Sequence, residues 1–416
     1  MKIILKKNNI ILLLYVIIAA IYTLPTFNVK LFEYALIAVF YFNVVIIVMG
    51  IYQTFKNEDF KVFLLSCLIL AGGIVICAIN GTSIRNLSSY MALVLGLYYT
   101  TNIVYSKDFY KILFLVGLAY NLYSFLLSPV YYDAWMANPE NMMNPNTIGI
   151  MNLLFVIIVN SYININVKRK GARRFLFLTY NMLMFYVLYL YRGRTSQFAF
   201  VVFLVFFILL NSGFLKRYIL TPALIFATIV GGFFFPVLYI NMPKAIINWI
   251  ADTTGKPYFS GREVIWSRFF LALTETRNLL IGPGSWRKEE FTTLWAERRV
   301  YSMHNNYLDI LLCFGLIGAI VFVIFTTRRV SALCKAGKMN NYVCLCGYFC
   351  FLILGYSENT FNYAFFAVLT NLLLGMSLYD SRNADFEPES IRVSGHRGRT
   401  RKIRFVLGKK GYIWGE

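Results

Sequence analysis

The sequence predicts an all-α polytopic membrane protein with about twelve transmembrane helices and one long extracytoplasmic loop. Three observations carry this. Of 416 residues, 59% are hydrophobic and 14% charged, against roughly a quarter charged in an ordinary soluble domain. Mean hydropathy is +0.62, which excludes a water-soluble multidomain enzyme. Apolar runs near the length of about 20 residues that a bilayer-crossing helix needs recur along the chain, where an outer-membrane barrel would show alternating segments of roughly ten. Aromatic residues at 18%, mostly Phe and Tyr, suit lipid-facing helices with interfacial belts.

In order, the runs fall at 9–24, 31–52, 60–80, 88–105, 109–128, 146–165, 174–191, 196–212, 218–240, 305–327, 341–356 and 361–379. Lys2, Lys6 and Lys7 before the first resemble a secretory signal. No small-residue cleavage site follows, however, and a second run begins at once, so the first reads as a helix. The fourth, seventh, eighth and eleventh runs are short or polar. Between the ninth and tenth lies the long loop, 241–303, and after the twelfth a basic tail, 380–416, with Arg397, Arg399, Arg401, Lys402 and Arg404 close together. One transmembrane helical domain over 1–379, loop included, and a cytoplasmic tail suited to anionic lipid are expected. No internal repeat of a two-half transporter is visible.

Sidedness follows from basic residues, which gather in short cytoplasmic connections. With the N-terminus inside, inner segments hold 27 of the 40 Lys and Arg residues, including Lys168, Arg169, Lys170, Arg173 and Arg174 after the sixth run. Arg328, Arg329, Lys335 and Lys338 follow the tenth. Outer segments hold 13, nine of them in the long loop, and the short outer connections carry just Lys30, Arg85, Arg192 and Arg194. Both termini are expected in the cytoplasm and the loop outside. The net charge of +21 thus belongs to membrane topology and not to nucleic acid. Cys67, Cys77, Cys313, Cys334, Cys344, Cys346 and Cys350 lie in apolar runs or short loops, so no disulfide framework is implied. Two histidines rule out a multi-His centre, and no metal or cofactor is expected.

Charges at a membrane edge are costly and therefore informative. Tyr191-Arg192-Gly193-Arg194-Thr195-Ser196 forms a tight outer turn, its two arginines opposed to the charge bias. They read either as snorkelling side chains or as an anion site, since a planar guanidinium grips phosphate oxygens in pairs. In the long loop, Ser260-Gly261-Arg262-Glu263 has a capping-box pattern, Ser at the N-cap and Glu three residues on. It opens an amphipathic stretch with Ile265, Trp266, Phe269, Phe270 and Leu273 on one face and Arg262 at its rim, either solvated or ligand-binding. Gly282-Pro283-Gly284-Ser285-Trp286 makes a tight turn, structural or a close approach to ligand.

The loop ends at His304-Asn305-Asn306-Tyr307-Leu308-Asp309. His304 is the one histidine outside the tail and accepts a proton near neutral pH. Asp309 shares a helical face with Asn305 and Asn306. A capping role stands against a catalytic one here. Glu358 in the outer turn between the last two runs, beside Asn359, is a further candidate contact, with Asn305, Tyr307 and Asp309. Arginines for a diphosphate and one histidine as base suit outer-leaflet transfer of a sugar from a polyprenyl-diphosphate carrier. Prearranged Arg groups would stabilise the departing diphosphate, and His304 would deprotonate the attacking hydroxyl. Asp309, Glu263 and Glu358 are the alternative bases.

These features resemble the O-antigen polymerase/ligase superfamily, which makes bacterial surface polysaccharides. The likeness rests on Asn144-Pro145-Asn146-Thr147-Ile148-Gly149, the Arg192-Gly193-Arg194 turn, Ser260-Gly261-Arg262 with Trp266, and Gly282-Pro283-Gly284. It continues in the stretch from His304 through Asn305, Tyr307 and Leu308 to Gly315 and Gly318. The resemblance implies a metal-independent, GT-C-like helical fold in the bacterial cytoplasmic membrane and inverting transfer from undecaprenyl diphosphate. It also implies essential outer arginines (Arg192, Arg194, Arg262) and His304 as base. Expected partners are undecaprenyl-diphosphate-linked glycan donor and acceptor, the bilayer, a chain-length regulator and a flippase. The Ser-Gly-Arg and Trp pattern and compact loop favour a capsule or O-antigen polymerase over a ligase that joins glycan to lipid A-core. A lipid-linked glycan flippase is the rival of another class, though it has no need of a long outer loop ending in a lone histidine.

Overall fold

The structure is a computed structural model describing residues 7–25, 29–56, 60–139, 141–211, 222–254, 258, 261–284, 303–335, 340–358, 360 and 364–379. Among these every regular element is a helix. Each expected apolar run coincides with one: α1 Lys7–Tyr22, α2 Val29–Lys56, α3 Phe60–Asn80, α4 Ile84–Asn102, α5 Lys107–Ala137, α6 Pro145–Asn166, α7 Lys170–Leu190 and α8 Arg194–Asn211. Then come α9 Pro222–Ile240 and three helices of the long loop, α10 Lys244–Thr254, α11 Arg262–Ala272 and α12 Thr276–Ile281. The last three are α13 Asn306–Lys335, α14 Tyr342–Leu354 and α15 Ala364–Met376. The protein is an all-α polytopic membrane protein. Among the described residues six helices (in α2, α3, α5, α6, α9 and α13) are long and apolar enough to cross a membrane, and four shorter apolar helices lie in α1, α8, α14 and α15.

Of the helices that coincide with the apolar runs, the remaining two, α4 and α7, are the least apolar, for different reasons. α4 is buried from Leu87 to Thr101 and packs between α2 and α15. Its hydroxyls bond either to its own carbonyls, as Thr101 does to Leu97 at 2.6 Å, or to neighbouring helices, as Tyr90 does to the Gly318 carbonyl at 2.7 Å, so protein rather than lipid meets its polar groups. α7 buries a narrow stripe of Asn181, Met184, Val187 and Leu188. Asn181 exchanges two hydrogen bonds of 3.0 Å with Asn160 of α6, the polar glue that joins helices where apolar contact alone cannot. Leu68, Met182, Ile208 and Phe234 face outward, as lipid-facing side chains must.

α5 extends to Ala137, well past the expected end near residue 128, and carries Pro129 inside it. Proline cannot donate to the carbonyl four residues back. Ser128 Oγ donates to that Phe125 carbonyl at 2.9 Å instead, so the helix passes through. A second correction concerns α11. Its N-cap is Gly261, left-handed at φ 85°, with no side-chain cap bond. Glu263 therefore stands second in the helix and not third, and the expected capping-box register fails. The left-handed entry takes glycine without steric cost, which delays the helix by one residue. Ser260, Ser285, Trp286, Asn359 and the tail lie outside the described residues. The expected apolar face of α11 is present, with Ile265, Trp266 and Phe269 buried.

α1 and α5 run opposite to α15. Tyr22 at the end of α1 meets Phe365 at the start of α15, ring centroids 5.3 Å apart. At the other end, Tyr110 of α5 donates to the Met376 carbonyl. The loop helices dock on the first of these ends. Asn80 Nδ2 donates to the Ile281 carbonyl at 2.7 Å, and the Gly284 N–H donates to the Leu312 carbonyl at 3.0 Å. There α13 breaks at Gly315, φ 59°. Gly282 and Gly315 lie so close that a Cβ on either would strike backbone.

Candidate active site

The loop-bearing end gathers the charged and strained residues. Asn144 caps α6, its Oδ1 accepting from the Asn146 N–H at 2.8 Å, and Pro145 occupies the first turn, where its missing N–H costs nothing. This entrance packs on the arginine turn. A Cβ on Gly149 or on Gly193 would lie 2.7 Å from Ser196 Oγ. Within the turn Arg192 has φ 53°, its N–H donating to the Tyr189 carbonyl at 2.9 Å. Ser196 Oγ donates to the Gly193 carbonyl at 2.9 Å. The exposed Arg192 guanidinium sits 4.5 Å above the Tyr132 ring, while Arg194 opens α8 half-buried.

Glu358, in the turn after α14, joins this region to the loop. Its Oε1 accepts from Arg262 Nη2 at 3.1 Å and from Thr195 Oγ1 at 3.0 Å. Both ion-pair partners are largely buried, at 19% and 9% side-chain exposure. A pair so enclosed is screened less than a surface pair. Thus Arg262 and the Arg192–Arg194 turn, far apart in sequence, meet through one carboxylate oxygen.

His304 stands at the entrance to α13 with φ 50°, and among the described residues it and Arg192 are the non-glycine positions of positive φ. Such backbone costs on the order of 1–3 kcal/mol and persists where its surroundings over-determine it. The surroundings do so here. Trp266 Nε1 donates to the Met303 carbonyl at 2.7 Å, and the Met303 N–H donates to Asp309 Oδ1 at 3.0 Å. Asn305 caps α13, its Oδ1 accepting the Tyr307 and Leu308 N–H groups at 2.9 and 2.8 Å. Its Nδ2 donates to the carbonyls of Gly232, 3.2 Å, and Tyr356, 2.8 Å. The Gly232 carbonyl is the one that Pro236, inside α9, leaves without an intrahelical donor. Asn306 is held by its N–H to the Gly355 carbonyl at 2.9 Å, and Tyr307 by its hydroxyl to the Leu352 carbonyl at 2.8 Å.

The His304 ring reaches solvent in part, but the protein crowded around it disfavours the charged form, and the Arg262 guanidinium adds to this. Glu358 acts in the opposite sense, and the balance holds the imidazole below its ordinary value. The shift favours the neutral ring, the form that a proton acceptor needs. Asp309 Oδ2 and Glu263 Oε2 are buried without a hydrogen-bond partner.

The structure thus brings His304, Arg262 and Glu358 together and links them to the arginine turn through Thr195. Asn305 and Tyr307 are buried, with their polar atoms committed to backbone. Thr195 and Met303 escaped sequence reasoning. Thr195 differs from any solvent-facing threonine just in standing beside Arg194, and Met303 acts through its backbone, which no side-chain pattern reveals.

Residues 179–323, about a third of the chain, match a family model described as O-antigen ligase. This match supports the resemblance to the O-antigen polymerase/ligase superfamily over that segment. It takes in the Arg192 turn, Arg262 with Trp266, and the His304 entrance to α13 as far as Gly318. The family supports a ligase- or polymerase-type, glycosyltransferase-like function for this membrane protein. Neither a curated protein nor a solved structure gave a significant match.

Proposed function

We propose that the protein polymerises undecaprenyl-diphosphate-linked oligosaccharide repeat units at the outer face of the bacterial cytoplasmic membrane, without a metal. The observation that carries this reading is the Arg262–Glu358 pair, tied through Thr195 to the Arg192–Arg194 turn, at the end of the bundle where left-handed His304 opens α13. In the step proposed, an acceptor sugar hydroxyl attacks the anomeric carbon of the donor. The bond from that carbon to the diphosphate oxygen breaks, the diphosphate leaves with the electron pair, and the hydroxyl proton passes to His304. Arg192, Arg194 and Arg262 stabilise the charge gained by the leaving diphosphate. Asp309 and Glu358 lie near enough in the chain fold to assist, Glu358 by orienting Arg262.

The description of the matched family favours a second reading, transfer of the finished glycan to lipid A-core. Purified protein in lipid nanodiscs separates the two. Supplied with lipid-diphosphate-linked repeat units alone, a polymerase lengthens glycan on its carrier, and EDTA leaves the rate unchanged. Product that forms just when lipid A-core is added makes the protein a ligase. Absence of both products refutes glycosyl transfer. Orientation is tested by an impermeant thiol reagent, which labels Thr254→Cys in intact cells if the loop is extracytoplasmic.

A further inference from the structure

We infer that Trp266 and Asp309 are positioning residues that grip Met303 at both of its backbone polar groups and thereby hold His304 in its left-handed conformation. The inference rests on the proposed role of His304 as base. The φ angle of His304 sets its Cα against the preceding peptide plane, and the oxygen of that plane is the Met303 carbonyl. Trp266 of α11 holds this oxygen at 2.7 Å. Asp309, in the first turn of α13, holds the Met303 N–H at 3.0 Å. On the far side Asn305 is pinned by its capping bonds. With both neighbours fixed, the φ of 50° is imposed on His304 from outside.

The choice of residues supports a functional reason. Trp266 is wholly buried, and a phenylalanine would fill most of its volume, yet its indole N–H is spent on this carbonyl. Asp309 commits one oxygen to Met303 and leaves the other buried without a hydrogen-bond partner, a costly state for a carboxyl group. A cap or an apolar contact would not need either. The charged groups that act on the held imidazole are Arg262 from α11 and Glu358 from the turn after α14, so a fixed ring faces a fixed field.

The test uses full-length protein in nanodiscs with lipid-diphosphate-linked repeat units, comparing Trp266→Phe, Asp309→Leu, Asp309→Asn and His304→Gln. A small misplacement of a reacting group costs about a hundredfold, so Trp266→Phe and Asp309→Leu are each expected to lose about that in kcat. KM for the donor should stay unchanged. The acid limb of the pH–rate profile should move up toward the ordinary imidazole value as the ring leaves the field of Arg262. Asp309→Asn, which can still accept the Met303 N–H, should recover most of the loss and keeps the inference testable if Trp266→Phe does not fold. Wild-type kcat and pH profile in Trp266→Phe and Asp309→Leu would overturn the grip. So would an Asp309→Asn as slow as Asp309→Leu, which would make Asp309 an acid–base group. If His304→Gln turns over at the wild-type rate, the reading of His304 as base falls first and the grip with it. If His304→Gln is inactive while Trp266→Phe is normal, the grip alone fails.

Discussion

The Arg192 turn and the His304 entrance share a backbone oddity and differ in what sustains it. Arg192 is held by its neighbours. Its N–H reaches Tyr189, and the Gly193 carbonyl receives Ser196 Oγ and the Gln197 N–H. The flanks of His304 are held partly from afar: beside the local bonds of Asp309 and the Asn305 cap, Met303 is bound by Trp266 37 residues away, and Asn305 by Gly232 and Tyr356 at 73 and 51. A turn closed by local bonds can form early and tolerate change at its tip. A turn closed by remote elements reports on the packing of all of them. The electrostatics differ likewise. Arg262 beside His304 is already paired with Glu358, whereas Arg192 rests on the face of Tyr132. Under the proposed function, an incoming diphosphate would compete with a carboxylate for Arg262, and merely with a ring for Arg192.

The largest expected effect tests whether the His304 entrance is catalytic at all. A positioned general base contributes roughly 10²–10⁴-fold, so His304→Gln should lose about that in polymer formation by purified protein, with the lipid-linked donor accumulating unused. Undiminished turnover would reduce the entrance to a structural cap. Next comes Arg262→Lys. The charge survives but not the planar fork, and loss of about a hundredfold in kcat is expected, the scale of one lost transition-state donor. Equal kcat for the Lys variant would show that Arg262 serves Glu358 alone.

Glu358→Gln sharpens the electrostatic side. With His304 as the proposed base, activity should fall as pH drops through its pKa, because a protonated ring cannot accept the proton. Glu358 raises that pKa, so its neutral replacement should lower it and carry the acid limb to lower pH. An acid limb left where it was would mean that Glu358 does not act on His304. Least in size is Arg192→Gly. Removing the left-handed penalty, about 1–2 kcal/mol, is offset by the flexibility glycine adds to the unfolded chain, roughly 0.5–1 kcal/mol. Thermal stability should shift by a few degrees at most while activity falls. A large drop in stability would show that the turn depends on the Arg192–Tyr132 contact, as His304 depends on its remote supports.

The helical plan was legible because hydropathy is a local property, and each apolar run found its helix. Legibility ended where burial replaced lipid, as in α4, whose polar residues bond to its own backbone and to its neighbours inside protein. It ended again where a local rule had a local rival. Ser260 and Glu263 have capping spacing, but left-handed Gly261 takes the cap, and Pro129 should end α5 until Ser128 answers the carbonyl it strands. The Arg192 turn could be read because Gly193 and its flanking spans are contiguous. The pairing of Arg262 with Glu358 spans 96 residues, and nothing in either neighbourhood encodes it. His304 and Arg262 were found by residue type and membrane side, their meeting by the fold.

The bond from Asn305 to Gly232 has a consequence for how the protein is made. α9 emerges from the ribosome with a carbonyl that Pro236 has stripped of its donor, and the side chain that answers it is 73 residues away in the chain. A backbone group left unmet in hydrocarbon costs several kcal/mol, so α9 is unfinished when it first enters the bilayer. Synthesis must pass through the whole loop before the amide of Asn305 arrives. α9 and the entrance to α13 should then mature as one unit, late in biogenesis. A nascent chain halted before Asn305 should present an α9 open to membrane quality control, and one released just beyond α13 should not.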